Sequence, residues 1–282
     1  MRQELEDTAG PDRYGVVGHP VSHSRSPFIH GIFARQTEQD LVYRLYDVSP
    51  EDFDAFCAQF FGTGGRGLNV TVPHKAAAAA FATQLTPRAA RAGAVNTLAR
   101  VEGRKVIGDN TDGAGLVRDL TLNLGLALAG TRILILGAGG ATRGIVAPLL
   151  EHGPEEIVIA NRTADRAQGL AAVFADRGSV RGCGFDDLPR RPFDLILNAT
   201  SAGLSGAVPP LPPAVVSGAT TCYDLSYAKS ATAFVRWARE HGCARAVEGW
   251  GMLVEQAAES FELWRGVRPD SGPVLSLLAG PR

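Results

Sequence analysis

The sequence predicts an α/β protein of two domains, an N-terminal α/β domain and a second domain wound around a mostly parallel sheet, with a cleft between them. Three observations carry this expectation. Apolar β-type runs alternate with helical stretches along almost the whole chain, the pattern of successive βαβ units. One run, Ile133-Leu134-Ile135-Leu136, ends in a glycine-rich loop that leads into a helical pattern. The length, 282 residues, suits two modest domains, and no internal repeat is present.

The first series places strands at Tyr14 to Gly18, Leu41 to Val48 and Gly67 to Val72, each followed by a helical segment, and a hairpin near Glu102-Gly103. Ser49-Pro50-Glu51-Asp52 reads as a helix start. There Ser49 caps, Pro50 suits the first helical position, and Asp52 is spaced to reach back reciprocally. A helix from Gly113 to Leu124 leads into the second series, with strands at Arg132 to Leu136, Glu156 to Ala160, Phe193 to Ala199 and Thr220 to Leu225. Interleaved with helices, these make a Rossmann-type nucleotide-binding domain. The last helix, from about Gly251 to Arg265, sets Leu253, Ala257, Phe261 and Trp264 on one stripe and is expected to pack back on the first domain. The expected division is residues 1–112, completed by 251–282, for the first domain and 113–250 for the second.

Composition narrows the function classes. With 45% hydrophobic and 20% charged residues the chain can bury a real core and does not have the composition of a disordered protein. Lys and Arg number 28 against 29 Asp and Glu, so no net field draws the chain to nucleic acid or to an anionic membrane. The 33 glycines and 17 prolines exceed the roughly 12% those two types average and point to tight turns where backbone approaches a ligand. Cys57, Cys183, Cys222 and Cys243 lack C-x-x-C spacing, which argues against zinc or a redox pair and leaves four buried thiols. His19 and His23 are four apart but have no third ligand in register, so no metal is expected. The polar, acidic N-terminus is no secretory signal, and the longest charge-free run, Leu195 to Tyr223, is broken by Pro209, Pro210, Pro212 and Pro213. A cytoplasmic protein with no membrane span is expected.

The loop Gly137-Ala138-Gly139-Gly140-Ala141-Thr142-Arg143-Gly144 lies between strand and helix, so its backbone N–H groups face outward at a helix N-terminus, where a pyrophosphate fits. Thr142 stands where G-x-G-x-x-G has its last glycine, and a plain tight turn is the competing explanation. The order strand, loop, helix, strand favours the nucleotide site. At the end of the second strand, NAD enzymes carry an acid for the ribose hydroxyl. Here the chain reads Asn161-Arg162-Thr163, with Arg162 and Arg166 four apart, which suits a 2'-phosphate and favours NADP. A solvated arginine pair with Thr163 as a helix cap is the bland alternative.

Two further segments carry titratable groups. Asn69-Val-Thr71-Val-Pro73-His74-Lys75 starts as a β-run and breaks at Pro73 into an alanine-rich helix, putting Lys75 in the first turn. The positive helix end disfavours an ammonium there and a nearby carboxylate favours it, and a lysine balanced between the two can shuttle a proton. Spacing alone favours the plainer reading, an exposed lysine on an alanine-rich helix. Gly108-Asp109-Asn110-Thr111-Asp112-Gly113 offers two carboxylates ahead of a helix, and capping explains both as well as chemistry does. His74 is a candidate for titration near neutrality or a structural residue.

Taken together these residues resemble the shikimate dehydrogenase family. Pro20-Val-Ser-His-Ser24-Arg-Ser26-Pro27 looks like its substrate-binding segment, and the likeness continues through NVTVPHK, AVNTL, GDNTDG, GAGGATRG, NRTADR, NATSAG, YDLSY and GMLVEQA, from Tyr14 to about Pro269. The resemblance implies reduction of 3-dehydroshikimate with NADPH, with Lys75 and Asp112 as the catalytic pair and Lys75 as the proton donor and acceptor. It implies Ser24 and Ser26 at the substrate carboxylate, and Thr71, Asn96, Tyr227 and Gln256 around its ring. On the cofactor side it implies Gly137, Ala138, Gly139, Gly140 and Ala141 at the pyrophosphate, and Asn161, Arg162, Thr163 and Arg166 at the adenosine phosphate. Leu225 and Gly249 would lie near the nicotinamide. Gly31 stands where the family commonly has Asn, and Leu225 where Met is frequent, which changes how the nicotinamide face is packed. The rivals are a quinate/shikimate dehydrogenase with relaxed cofactor use, a non-catalytic NADP-sensing protein, and, last, a methyltransferase.

Overall fold

The computed structural model describes residues 10–102, 105–200, 207–228 and 230–279. The chain divides into two compact units, Met1–Thr111 with Ala257–Val274 and Asp112–Gln256 with Leu275–Arg282.

In the first unit strands β1 (Asp12–Gly18), β2 (Leu41–Asp47), β3 (Gly65–Val70), β4 (Gln84–Leu85), β5 (Thr97–Arg100) and β6 (Val106–Asp109) form one sheet in the order β2-β1-β3-β5-β6-β4. β1 runs parallel to β2 and β3, while β5 is antiparallel to β3 and β6, which is the expected hairpin. Its residues 103–104 lie outside the described residues. Helices α1 (Ser26–Gln36), α2 (Phe53–Gly62), α3 (Lys75–Phe81) and α4 (Pro87–Ala92) connect them. α2 forms because Phe53, Cys57, Phe60 and Phe61 recur at helical spacing, and that stripe packs with Val17, Leu68, Val70 and Leu98 from the sheet.

Three local expectations are corrected here. Ser49 precedes a 3-10 turn, Pro50–Asp52, and its hydroxyl bonds the Asp52 carboxylate at 2.8 Å instead of a backbone N–H. β3 ends at Val70, two residues before the expected Val72, because Thr71 and Val72 leave the ladder for a turn in which the His74 N–H returns to the Thr71 carbonyl at 2.9 Å. Pro73, preceded by a cis peptide bond, sits in that turn ahead of α3 instead of opening it.

The second unit opens with α5 (Asp112–Arg118), which continues as a π-helical turn, Asp119–Asn123. Then follow β7 (Arg132–Leu136), α6 (Gly140–Leu150), β8 (Glu156–Ala160), α7 (Ala164–Ala172), β9 (Val180–Cys183), β10 (Leu195–Asn198), β11 (Thr221–Asp224), α8 (Ala233–Glu240) and β12 (Arg245–Glu248). All six strands are parallel in the order β12-β11-β10-β7-β8-β9, and the chain reverses its winding between β7 and β10. This is the doubly wound arrangement, whose ligands lie beyond the strand ends at that reversal. Residues of β7, β8 and β10 are buried on both faces, as covered parallel strands require. α9 (Trp250–Arg265) begins in the second unit and continues in the first, and α10 (Gly272–Ala279) follows it. On the expected α9 stripe Ala257 and Phe261 are fully buried, while Leu253 and Trp264 are half-buried. Cys57, Cys183 and Cys222 are buried, but Cys243 is only partly so, against the expectation of four buried thiols. No helix among the described residues is long and apolar enough to cross a membrane.

Candidate active site

At the carboxyl ends of the parallel strands of the first unit, several polar residues gather. The loop after β1 carries half-buried Ser24, which donates to the hydroxyl of buried Ser26 at 3.1 Å. Thr71 follows β3, its N–H bound to the Val17 carbonyl at 3.0 Å. Lys75 is the first residue of α3, and its carbonyl accepts the Val95 N–H at 2.9 Å, which brings the backbone beside Asn96 next to it. Ser24, Ser26, Thr71, Lys75 and Asn96 thus follow or precede inner strands at one end of the sheet.

Beneath them runs a buried polar network. The Tyr43 hydroxyl donates to Asn69 Oδ1 at 2.7 Å, and burial, outweighing a hydrogen bond with Ser26, holds that phenol well above its usual pKa and so protonated. Asn69 Nδ2 donates to Ser260 at 2.9 Å and Thr97 at 3.2 Å. Thr97 in turn donates to Asn96 Oδ1 at 2.9 Å, which also accepts the Thr111 N–H at 2.8 Å. Buried polar groups are costly unless satisfied, so this mesh fixes the orientation of the Asn96 amide. Tyr43, Asn69, Thr111 and Ser260 were not singled out from the sequence. The available signal was Asn69, a polar residue between the buried apolar residues Leu68 and Val70 of β3.

The structure separates the two acids left undecided by spacing. Asp109 accepts from Arg88 Nε at 2.7 Å, from Thr86 at 2.5 Å and from the Asn110 N–H at 2.8 Å. Burial alone raises this carboxyl, but the guanidinium and these donors outweigh it and hold Asp109 below the usual carboxylate range. Asp109 is therefore a structural anchor. Asp112, also buried, opens α5. His74 is structural too, buried with Nε2 at 2.8 Å from the Val48 carbonyl and its ring stacked on Phe53.

In the second unit the glycine loop ends the central strand β7. Gly137 has φ +99°, a left-handed conformation that favours glycine, and Gly139 and Gly140 are exposed with open space where a side chain would stand. Gly139 provides no side-chain cap to α6, so the first N–H groups of that helix depend on other partners. Thr142 replaces the third glycine by folding back: its hydroxyl donates to the Gly137 carbonyl at 2.8 Å and stiffens the loop. The close approach to this helix is made by Gly113 of α5, where a side chain would overlap the Gly144 carbonyl. Ala138 and Ala141 are half-buried beside the loop.

Beyond β8 no acid follows Ala160. Asn161 bonds the Thr163 carbonyl at 3.0 Å, Arg162 and Arg166 are exposed, and Thr163 occupies the cap position of α7 without making the cap bond. This donor set fits a nucleotide with an extra phosphate: open glycines for the pyrophosphate, two arginines and a spare hydroxyl for the 2'-phosphate. Past β11, Leu225 and Gly249 meet closely, a side chain at Gly249 overlapping the Leu225 carbonyl. The Tyr227 ring lies 4.5 Å from that of Trp250, and Gln256 donates to the Leu253 carbonyl at 2.8 Å. The last three residues of the NATSAG segment, 201–203, lie outside the described residues.

Comparison with known proteins gives matches along the chain. Residues 16–98 match the shikimate dehydrogenase substrate binding domain, residues 120–205 the shikimate / quinate 5-dehydrogenase family and residues 249–278 the shikimate 5'-dehydrogenase C-terminal domain. A protein of Methylococcus capsulatus named shikimate dehydrogenase (NADP(+)) is 56% identical over 272 residues, 96% of this chain and 98% of that one. Among solved structures, an Ael1 enzyme from Pseudomonas putida matches with TM-score 0.89 and 46% identity, covering 95% of this chain and 98% of that one. Shikimate 5-dehydrogenase from Thermus thermophilus, in complex with NADP(H) and shikimate, matches with TM-score 0.84 and 34% identity over 95% and 98% of the two chains. The chain belongs to the shikimate dehydrogenase family.

Proposed function

We infer that this chain is an NADP-dependent oxidoreductase that interconverts 3-dehydroshikimate and shikimate, a step of aromatic amino acid biosynthesis. The observation that carries the NADP part is the pairing of an open glycine loop on β7 with Arg162 and Arg166 after β8, where an NAD enzyme would carry an acid. When bound, NADPH supplies the hydride that goes to the ketone carbon. Lys75 Nζ gives its proton to the oxygen of that carbon as negative charge develops, so the ketone becomes an alcohol; in reverse the amine takes the proton back. Asp112 orients the lysine.

Ser24 and Ser26 hold the substrate carboxylate, and Thr71, Asn96, Tyr227 and Gln256 bind around the ring. The hydrogen-bonded Ser24–Ser26 pair and the fixed Asn96 amide support these roles. Gly137 to Ala141 take the pyrophosphate, Asn161 to Arg166 the adenosine phosphate, and Leu225 and Gly249 border the nicotinamide. We assign residues 1–112 with 251–282 to substrate and 113–250 to cofactor, and place the enzyme in the cytoplasm as a monomer or homodimer without nucleic-acid or membrane partners. Assays of purified protein with shikimate and with quinate, each with NADP and NAD, test the proposal. Turnover is expected with shikimate and NADP; faster turnover of quinate, or equal use of NAD, contradicts it.

A further inference from the structure

The π-helical turn that ends α5 buries a carboxylate for which the mechanism above has no use. Asp119 is fully buried, and its Oδ2 accepts the Tyr223 hydroxyl at 2.7 Å while its Oδ1 accepts the Asn123 amide at 3.0 Å. Tyr223 is fully buried on β11, and its oxygen also accepts the Met252 N–H, in the first turn of α9, at 3.1 Å. That N–H belongs to the helix end that lacks intrahelical partners. Gly251 presses its Cα against the carboxylate, where any side chain would overlap Asp119. A buried carboxylate is costly to desolvate, and packing alone would be served as well by an apolar side chain. What the acid adds is direction, because it fixes three chain segments through two hydrogen bonds on one phenol.

Those segments are the ones that carry the proposed chemistry of this unit. Asp112 opens α5, Leu225 follows β11, and Gly249 and Gln256 flank the start of α9. Gly115, on α5, already lies so close to Gln256 that a side chain there would overlap its backbone. π-turns inside helices recur at functional sites. We propose that Asp119 and Tyr223 are positioning residues, which set the first turn of α9 against α5 and the end of β11 so that Asp112, Gln256 and the nicotinamide floor keep their relative places.

The proposal rests on the reading of Asp112, Gln256 and Gly249 given above. The test uses the full chain with Tyr223→Phe, which removes the phenol's hydrogen bonds to Asp119 and Met252, and Asp119→Asn, which keeps an acceptor for Tyr223. Three quantities are measured: kcat and KM for shikimate oxidation, the NADP dissociation constant by calorimetry, and the urea midpoint. A cooperatively folded Y223F should lose about tenfold to a hundredfold in kcat, with KM for shikimate little changed. Its NADP affinity should fall several-fold, and D119N should stand close to wild type in both. Wild-type kcat and NADP affinity in a folded Y223F overturn the proposal, as does a D119N as impaired as Y223F. If Y223F does not fold, Gly251→Ala, which displaces the carboxylate without deleting a polar group, must lower kcat and NADP affinity together; wild-type values there overturn it. Failure of the wild-type chain to oxidise shikimate would defeat the functional reading instead, and the NADP-binding comparison would still decide the positioning role.

Discussion

His30 gives a quantitative handle on the first unit. It lies on α1, 1% exposed, stacked on Tyr43 at 4.2 Å and 6° and packed among Phe33, Phe261 and Trp264. Neither ring nitrogen has a hydrogen-bond partner among the described residues. Burial pushes its pKa down from 6.5 to about 3, although the nearby Asn69 amide works weakly the other way. The folded chain therefore keeps His30 neutral at pH values where the unfolded chain takes up a proton. That stability is fully present above about pH 6.5 and is lost as pH falls toward 3. Integrated between pH 7 and pH 5, the loss from this residue is about 2 kcal/mol, and by pH 4 about 3 kcal/mol. Urea unfolding of wild type and His30→Phe at pH 7, 6 and 5 isolates the effect, since contributions of the other histidines cancel in the difference. The variant keeps the stacked ring and loses two unpaired polar atoms, so its stability at pH 7 should match or exceed that of wild type. Its advantage should grow by about 2 kcal/mol at pH 5. Parallel pH curves for the two proteins would refute the burial of an uncharged His30.

Arg88→Ala leaves the Asp109 carboxylate buried without its guanidinium and should cost about 3 kcal/mol at pH 7 by urea unfolding. Because Arg88 holds Asp109 below its ordinary range, that contribution is present above about pH 4 and is lost as pH falls through the lowered folded value, so variant and wild type should converge in acid. Thr142→Ala removes the bond to the Gly137 carbonyl and should cost about 1 kcal/mol of stability together with a measurable loss of NADP affinity by calorimetry. Arg162→Asp should weaken NADP far more than NAD in steady-state kinetics; equal loss for both coenzymes would remove the phosphate clamp from the account.

Much of the fold was legible because parallel strands covered on both faces are written as short apolar runs. Arg132–Leu136 and Glu156–Ala160 fall at the expected residues. The outer strands β9 and β12, Val-Arg-Gly-Cys and Arg-Ala-Val-Glu, were missed because an edge strand with one covered side carries no such run. Gly182 marks β9 in another way, since a side chain there would overlap the backbone of Ala167 on α7. α10 was missed as well. At the site, local spacing found Lys75 in the first turn of a helix and the glycine loop on its strand. It left Asp109 and Asp112 equivalent because the group that distinguishes them, Arg88, is 21 residues from Asp109. The Asn69 mesh was equally invisible, one of its bonds joining residues 191 apart. Long-range partners decide the role of a polar residue, and periodicity does not encode them.

Steady-state oxidation of shikimate with NADP by wild type and by Lys75→Ala, alongside NADP binding by calorimetry, tests the proton-transfer assignment most directly. With the general acid and base gone, kcat should fall by about a hundredfold or more while KM and NADP affinity stay near wild type. A Lys75→Ala enzyme that turns over within about threefold of wild type would show that another group moves the proton.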